Sequence, residues 1–137
     1  MMKHKPFLAC FFLLAVVLPG AQTSAHHSFA VHFIADEIVQ VKGTVTTFRF
    51  SNPHGMLTFN SVDEAGNTVE WRAETNSPNI LRRRGWDRDS FKPGDEVTVE
   101  GYPARDGTSY MRISRAVFAD GRVLVGQGLS AAPEEKD

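Results

Sequence analysis

Four of the five histidines in this 137-residue chain lie beyond residue 25: His26, His27, His32 and His54. The first three fall within seven residues, and His54 stands two residues ahead of Met56. Imidazole suits copper and zinc, whereas a thioether is soft and favours copper(I). His26 gains a further property if the chain is cut just before it. A new amino terminus would then put an α-amine and an imidazole on one residue, and the two can close a chelate ring on one metal ion. In one coordination scheme, His26 supplies its amine and a ring nitrogen and a second histidine completes a T-shaped copper site. In another, His27 binds through its ring with the deprotonated backbone amide and the terminal amine, an arrangement that favours square-planar copper(II). A third-position histidine would be the stronger signal for an amide-bound site, but that position is Ser28. His26 therefore fits the first scheme better.

His54-Gly55-Met56 adds a mixed donor pair. On an extended segment, residues two apart point to the same face, so a histidine and a methionine stand side by side in a combination suited to copper(I). Pro53 stiffens the approach. Each feature also has a purely structural reading. Histidines near an N-terminus are polar residues on an exposed arm, His54 caps a backbone carbonyl in its turn, and Met56 is core at the start of a strand. Arm and His54 can share a metal only if the arm folds back onto the domain. Phe29, Val31, Phe33 and Ile34 are the apolar residues that could hold it there.

Whether His26 becomes a terminus depends on residues 1–25. Lys3 and Lys5 precede an apolar run from Phe7 to Leu18, then a Pro19-Gly20 break, then Thr23-Ser24-Ala25. Basic start, apolar middle and small residues at the cut are the layout of a secretory signal, with cleavage expected after Ala25. A cut after Ala21 would put Pro19 at the other small-residue position. The apolar run is too short for a membrane span, so the mature chain is expected to be exported, to the periplasm, without spanning the membrane.

The cut leaves 137 − 25 = 112 residues, enough for one small domain. Cys10, the only cysteine, lies in the apolar run and leaves with the signal. Too little apolar chain precedes it for a lipoprotein box. Disulfides, zinc-thiolate sites, iron–sulfur clusters and cysteine nucleophiles are then excluded. Loss of Lys3 and Lys5 makes the formal charge of −1 two units more negative, which argues against nucleic acid as a partner.

The pattern of the mature chain positions these groups. Residues 26–37 form a His-rich arm ending in Asp36-Glu37. From Ile38 to Phe50 the period is two, with Gly43 as the place for a bend or bulge. Ser51 to Gly55 is a turn cluster, 56–62 a second strand, 63–67 a hairpin turn and 68–74 a third strand. Ser77 and Pro78 signal a helix start, and Gly85 a stop. After the Lys92–Asp95 turn, strands are expected over 96–102, 109–118 and 122–125. The tail from 126 to 137 is small, polar and acidic, the composition of a disordered segment. Three strands, a short helix and two or three more strands is the order of an OB-type barrel over residues 38–125, in which the helix plugs one end.

Other features read as structural. Trp71, Trp86, Phe48, Phe50, Phe59 and Tyr102 fit a barrel core, although exposed aromatics on such a barrel can form a ligand face. Arg82, Arg83, Arg84 and Arg88 are offset by Asp87 and Asp89, which fits a solvated helix face better than an anion site. No nucleophile elbow or triad accompanies Ser28 or Ser51. Glu70 and Glu74 are strand carboxylates, expected to be exposed, and do not form an acid/base pair.

His26-His27-Ser28-Phe29-Ala30, Asn52-Pro53-His54, Gly85-Trp86, Gly94-Asp95 and Gly101-Tyr102-Pro103-Ala104-Arg105-Asp106-Gly107 together resemble an uncharacterised family of small exported bacterial proteins. The resemblance runs to about Leu124 and implies export and a single domain, without an activity. In fold alone, the strand order is similar to that of the OB-type haem chaperone of cytochrome c maturation. The haem-attaching histidine segment has no counterpart here, so haem is not implied. The leading expectation is a non-enzymatic periplasmic carrier or buffer of copper. It would bind through His26 and His54, with His32, His27 and Met56 as candidate third ligands. The alternative is a metal-free envelope module that uses its barrel face for a small ligand or protein partner, with His26 to Phe33 as a docking arm. A copper oxygenase is the third reading.

Overall fold

A computed structural model describes residues 26–126, with side chains from Phe29 onward. Residues 1–25, read above as an export signal, the tail 127–137 and the side chains of His26, His27 and Ser28 lie outside the described residues. The elements are α1 (His26–His32), β1 (Val39–Arg49), β2 (Met56–Val62), β3 (Thr68–Glu74), α2 (Pro78–Arg82), β4 (Glu96–Pro103), β5 (Tyr110–Phe118) and β6 (Val123–Val125).

The strands form one sheet in the order β3-β2-β1-β4-β5-β6, and a parallel pairing of β3 with β5 closes it. The result is a five-stranded barrel, β1-β2-β3-β5-β4 and back to β1, with β6 as an extra strand. β6 pairs with Arg115–Val117 of β5, beyond the Tyr110–Arg112 stretch that β3 occupies. All neighbours except β3 and β5 are antiparallel. This is the connectivity expected of an OB-type barrel.

Alternation builds the core. Leu57 and Phe59 of β2, Ala73 of β3, Val97 and Val99 of β4, and Met111, Ile113, Ala116 and Phe118 of β5 are buried. Two register shifts keep the apolar side inward on long, bent strands. One lies between Val45 and Thr47 of β1, and the other falls where Gly101 takes Ile113 rather than Ser114 as its partner. The expected irregularity at Gly43 is therefore displaced by two residues. Gly43 does something else: a Cβ there would lie 2.4 Å from the Asn60 carbonyl oxygen and 2.8 Å from the Phe59 ring, so its hydrogen lets β2 cross close to β1.

α2 plugs one end, as expected. Pro78 opens it after Ser77, whose hydroxyl makes no cap bond, and Leu81 is fully buried. Around it Phe48, Trp86, Phe91 and Phe118 pack ring on ring, with Phe48–Phe91 centroids 5.0 Å apart and Phe91–Phe118 5.1 Å. The Trp86 indole N–H donates to the Val125 carbonyl at 2.9 Å, occupying an acceptor of β6, which would otherwise be a bare edge. The arginines after Leu81 are exposed, and Arg82 lies over the Phe50 ring at 5.3 Å. That is the solvated face read from the sequence.

The arm is not a free segment. Its first half is the helix α1, which its composition did not announce. Phe33 then forms an isolated bridge with Ala104, and the Ile34 amide donates to Pro103 O at 3.0 Å. Arg105 closes on the helix twice, through its backbone N–H to His32 O at 2.9 Å and its Nε to Ala30 O at 2.6 Å. Phe33 is buried, with its ring 5.6 Å from Tyr110, while Phe29 meets Tyr102 edge-on at 5.3 Å. Val31, expected among these contacts, instead faces solvent at 65% exposure.

Truncating a buried Phe costs about 3–5 kcal/mol when the element stays in place. Phe33→Ala should therefore detach the arm before it unfolds the barrel. In hydrogen exchange, the Phe33 and Ile34 amides should lose protection while those of β4 and β5 keep theirs. Uniform loss across the barrel would contradict this.

Candidate functional site

The registers of β2, β3, β5 and β4 line up four residues across the outer face of the barrel. Met56 pairs with Glu74, Glu74 with Arg112, and Arg112 with Tyr102. Leu57, Ala73 and Met111 alternate inward, so this row faces out. The next row holds Thr58, Arg72 and Tyr110. A side chain two residues along a strand can lean back onto its neighbour, and Tyr110 does so. Its hydroxyl donates to Glu74 Oε2, while Arg112 Nη1 donates to Glu74 Oε1. Arg112 Nη2 donates to Asn76 Oδ1 at 2.5 Å. The carboxylate thus has a partner on each oxygen.

His54 reaches this cluster from the β1–β2 loop. The β2–β3 ladder continues past Met56, with the Thr75 amide donating to Gly55 O at 3.0 Å. This close crossing depends on Gly55, where a Cβ would lie 2.5 Å from the Thr75 hydroxyl and 2.9 Å from Arg49 O. Next to it, His54 Nδ1 lies 3.1 Å from the Thr75 carbonyl, 3.5 Å from Glu74 Oε1 and 3.2 Å from Arg112 Nη1. Two of these three neighbours, the Thr75 carbonyl and the Glu74 carboxylate oxygen, can only accept, and Arg112 Nη1 directs one of its two hydrogens at Glu74. We therefore assign the proton of the neutral ring to Nδ1, donating to Thr75 O. Nε2 keeps its lone pair on the far side of a side chain that is 46% exposed.

A histidine oriented through Nδ1–H to a carbonyl, with Nε2 free, has the second-shell geometry of a metal ligand. It is also the carbonyl contact that the structural reading of His54 anticipated. The fold brings together His54, Glu74, Arg112, Asn76 and Tyr110. Met56 lies beside Glu74 on the outer face and is only half-buried, so it is not core. His32 is exposed at the end of α1, 6.5 Å ring to ring from Phe33. Among the described residues no three of His, Cys, Asp or Glu form a group able to hold a metal.

A scan of known protein families matches residues 14–112 to a family of unknown function, DUF6152. The chain belongs to that family. The DUF6152 match spans α1, the His54 loop, Glu74 and the start of β5 as far as Arg112, so every side chain of the cluster lies within it. No curated protein and no solved structure matches the chain.

Sequence reasoning missed Asn76, Tyr110 and Arg112, and took Glu74 for an exposed strand carboxylate. Glu70 is exposed, as expected of a strand carboxylate, but Glu74 is largely covered by its two donors. The available signal was Tyr110 and Arg112, two long polar-ended side chains at outward positions of a strand that is otherwise core.

Burial, and after it the hydrogen bond to Glu74, pushes the Tyr110 phenol well above the ordinary tyrosine range. A pKa raised on folding means the stabilisation is complete below the unfolded value, about 10 for tyrosine, and is lost as pH rises beyond it. At about pH 11, native wild type and Tyr110→Phe should therefore show equal phenolate absorbance in the ultraviolet. One extra phenolate in wild type would contradict the geometry.

Proposed function

We propose that this DUF6152 protein is exported and, after cleavage before His26, binds copper through its N-terminal residue and His54, as an envelope carrier or buffer. The observation that carries the reading is the His54 ring, whose Nδ1 lies 3.1 Å from Thr75 O in a side chain that is 46% exposed, while no hydrogen bond engages Nε2 among the described residues. α1 supports it by seating the arm on the barrel, with Phe33 beside Tyr110 and Phe29 against Tyr102. The shared site requires the three residues from Phe29 back to His26 to bring the terminus to His54.

The donor set fits copper chemistry. An amine, an imidazole and His54 Nε2 are three nitrogens, and Met56 offers a soft fourth ligand on the same face. His27 and His32 are alternative third ligands. The carrier or buffer role is part of the same proposal. The metal-free reading requires the arm as a docking segment, yet Phe29 and Phe33 are turned onto Tyr102 and Tyr110. Nothing in that arrangement favours it.

Copper titration tests the reading, using protein recovered from the envelope fraction with an intact mass that begins at His26. One added N-terminal alanine, or His54→Ala, should each weaken binding about tenfold or more, ~1.4 kcal/mol. Equal affinity for all three proteins would overturn the shared site, and a mass that includes residues 1–25 would overturn export with cleavage.

A further inference from the structure

The plugged end of the barrel carries positive charge that the fold leaves unbalanced. Leu81, Trp86, Ser90 and Phe91 are buried there, and every residue between them is exposed, Arg82, Arg83, Arg84 and Arg88 included. Arg49 adjoins them, one residue before the Phe50 ring on which Arg82 lies. Arg122 does so too, through Nη1 donating to Ser90 O at 3.1 Å. Asp87, Asp89 and Asp120 offset part of this charge by count, but two of them serve their own turns. Asp87 Oδ1 accepts from the Asp89 amide at 2.8 Å and the Ser90 hydroxyl at 3.3 Å, and Asp120 Oδ1 accepts from the Arg122 amide at 2.9 Å. Among the described residues none of these arginines is in an ion pair, whereas Arg112 and Arg115 are each matched by a glutamate. We infer that this arginine face docks the protein on a bilayer of anionic phospholipid, through the headgroup phosphates. Docking here needs no metal and no residue of the His54 cluster.

Three features select that partner. A guanidinium offers parallel N–H groups that match phosphate oxygens, and a ring beneath it holds it without covering those edges. Arg82 lies over Phe50 at 5.3 Å and Arg122 over Phe118 at 3.6 Å, while Arg83 Nε donates to Asn79 O at 3.3 Å. Part of the face is therefore ordered before anything binds. Second, Leu81, Trp86 and Phe91 are all buried, so the stretch from Arg82 to Asp89 shows no apolar anchor of the kind that carries a protein interface. A diffuse layer of anions needs none. Third, charge is segregated along the barrel. Asp63 and Glu64 sit beside the β2–β3 hairpin turn, at the opposite end of β3 from α2, about 20 Å along the strand. A chain of formal charge −1 can thus turn its basic end to an anionic surface and its acidic end away.

Co-sedimentation with vesicles tests the docking. It uses the chain from His26 onward, because the apolar run from Phe7 to Leu18 would itself bind lipid. Wild type should sediment with vesicles of phosphatidylglycerol mixed with phosphatidylcholine and stay in solution with phosphatidylcholine alone. Salt at about 1 M, where the screening length falls to about 3 Å, should release it. Arg83→Gln/Arg84→Gln should lower partition onto the mixed vesicles about tenfold or more. Lys42→Gln/Arg72→Gln, which removes the same charge from β1 and β3, should bind like wild type. Circular dichroism confirms the fold of each. Arg88→Gln, at a side chain with no hydrogen bond or ion pair among the described residues, should weaken binding in the same direction and carries the test if the double variant fails to fold. Wild type that ignores the mixed vesicles, or binds both kinds equally, overturns the docking. Equal loss in the two double variants assigns binding to net charge and overturns the face. Tighter binding to soluble polyglutamate than to the mixed vesicles would assign the face to an acidic protein and overturn the lipid.

Discussion

Three residues of parallel pairing close this barrel, Arg72–Glu74 of β3 against Tyr110–Arg112 of β5. Every other strand neighbour is antiparallel. The seam does two things at once. It pairs the edge of β3 that an open sheet would expose, leaving β6 as the outer strand. It also sets Glu74 beside Arg112 and Arg72 beside Tyr110, so the polar groups on its outer face meet without any loop to arrange them. His54 and the α1 arm are then added from either side of that seam.

The seam carries a cost that its polar contacts offset. Arg112 is buried, and its Nε has no hydrogen-bond partner among the described residues. An unmet buried donor typically costs about 1–3 kcal/mol. Its other two nitrogens are bonded to Glu74 and Asn76, and Glu74 is bonded again by Tyr110. A well-packed apolar pair would often be as stable as such a cluster. What the charged version adds is register: Glu74 and Arg112 satisfy one another only when β3 meets β5 at this one alignment. Asn76 extends the connection by donating to Gly126 O at 3.0 Å, past the end of β6.

Much of the scaffold was legible because its signals are local. Period-two alternation gave β2 and β3 to the residue, the 63–67 hairpin lay between them, and Ser77-Pro78 marked α2. What was hidden is non-local. Nothing in the order of residues says that Glu74 will face Arg112 thirty-eight positions away, because the pairing of β3 with β5 is decided by barrel closure. The helix α1 was hidden for another reason. His26 to His32 has ordinary helical propensities and a short length, and short helices draw most of their stability from tertiary packing, here Phe29 and Phe33 on Tyr102 and Tyr110. The candidate ligands were named by residue type, by the expected cut before His26 and by the two-residue spacing of His54 and Met56. The fold adds an orientation for His54 and a neighbourhood for Met56, and it leaves His32 on the solvent side.

In the proposed copper site, His54 offers Nε2 to the metal while Nδ1 stays bound to Thr75 O. Imidazole nitrogen NMR of ¹⁵N-histidine-labelled mature protein, before and after one equivalent of copper(I), examines that claim atom by atom. His54 Nε2 should shift to a metal-bound position while Nδ1 keeps its proton. His54 resonances that stay where they were, or coordination through Nδ1 with loss of the Thr75 bond, would contradict it.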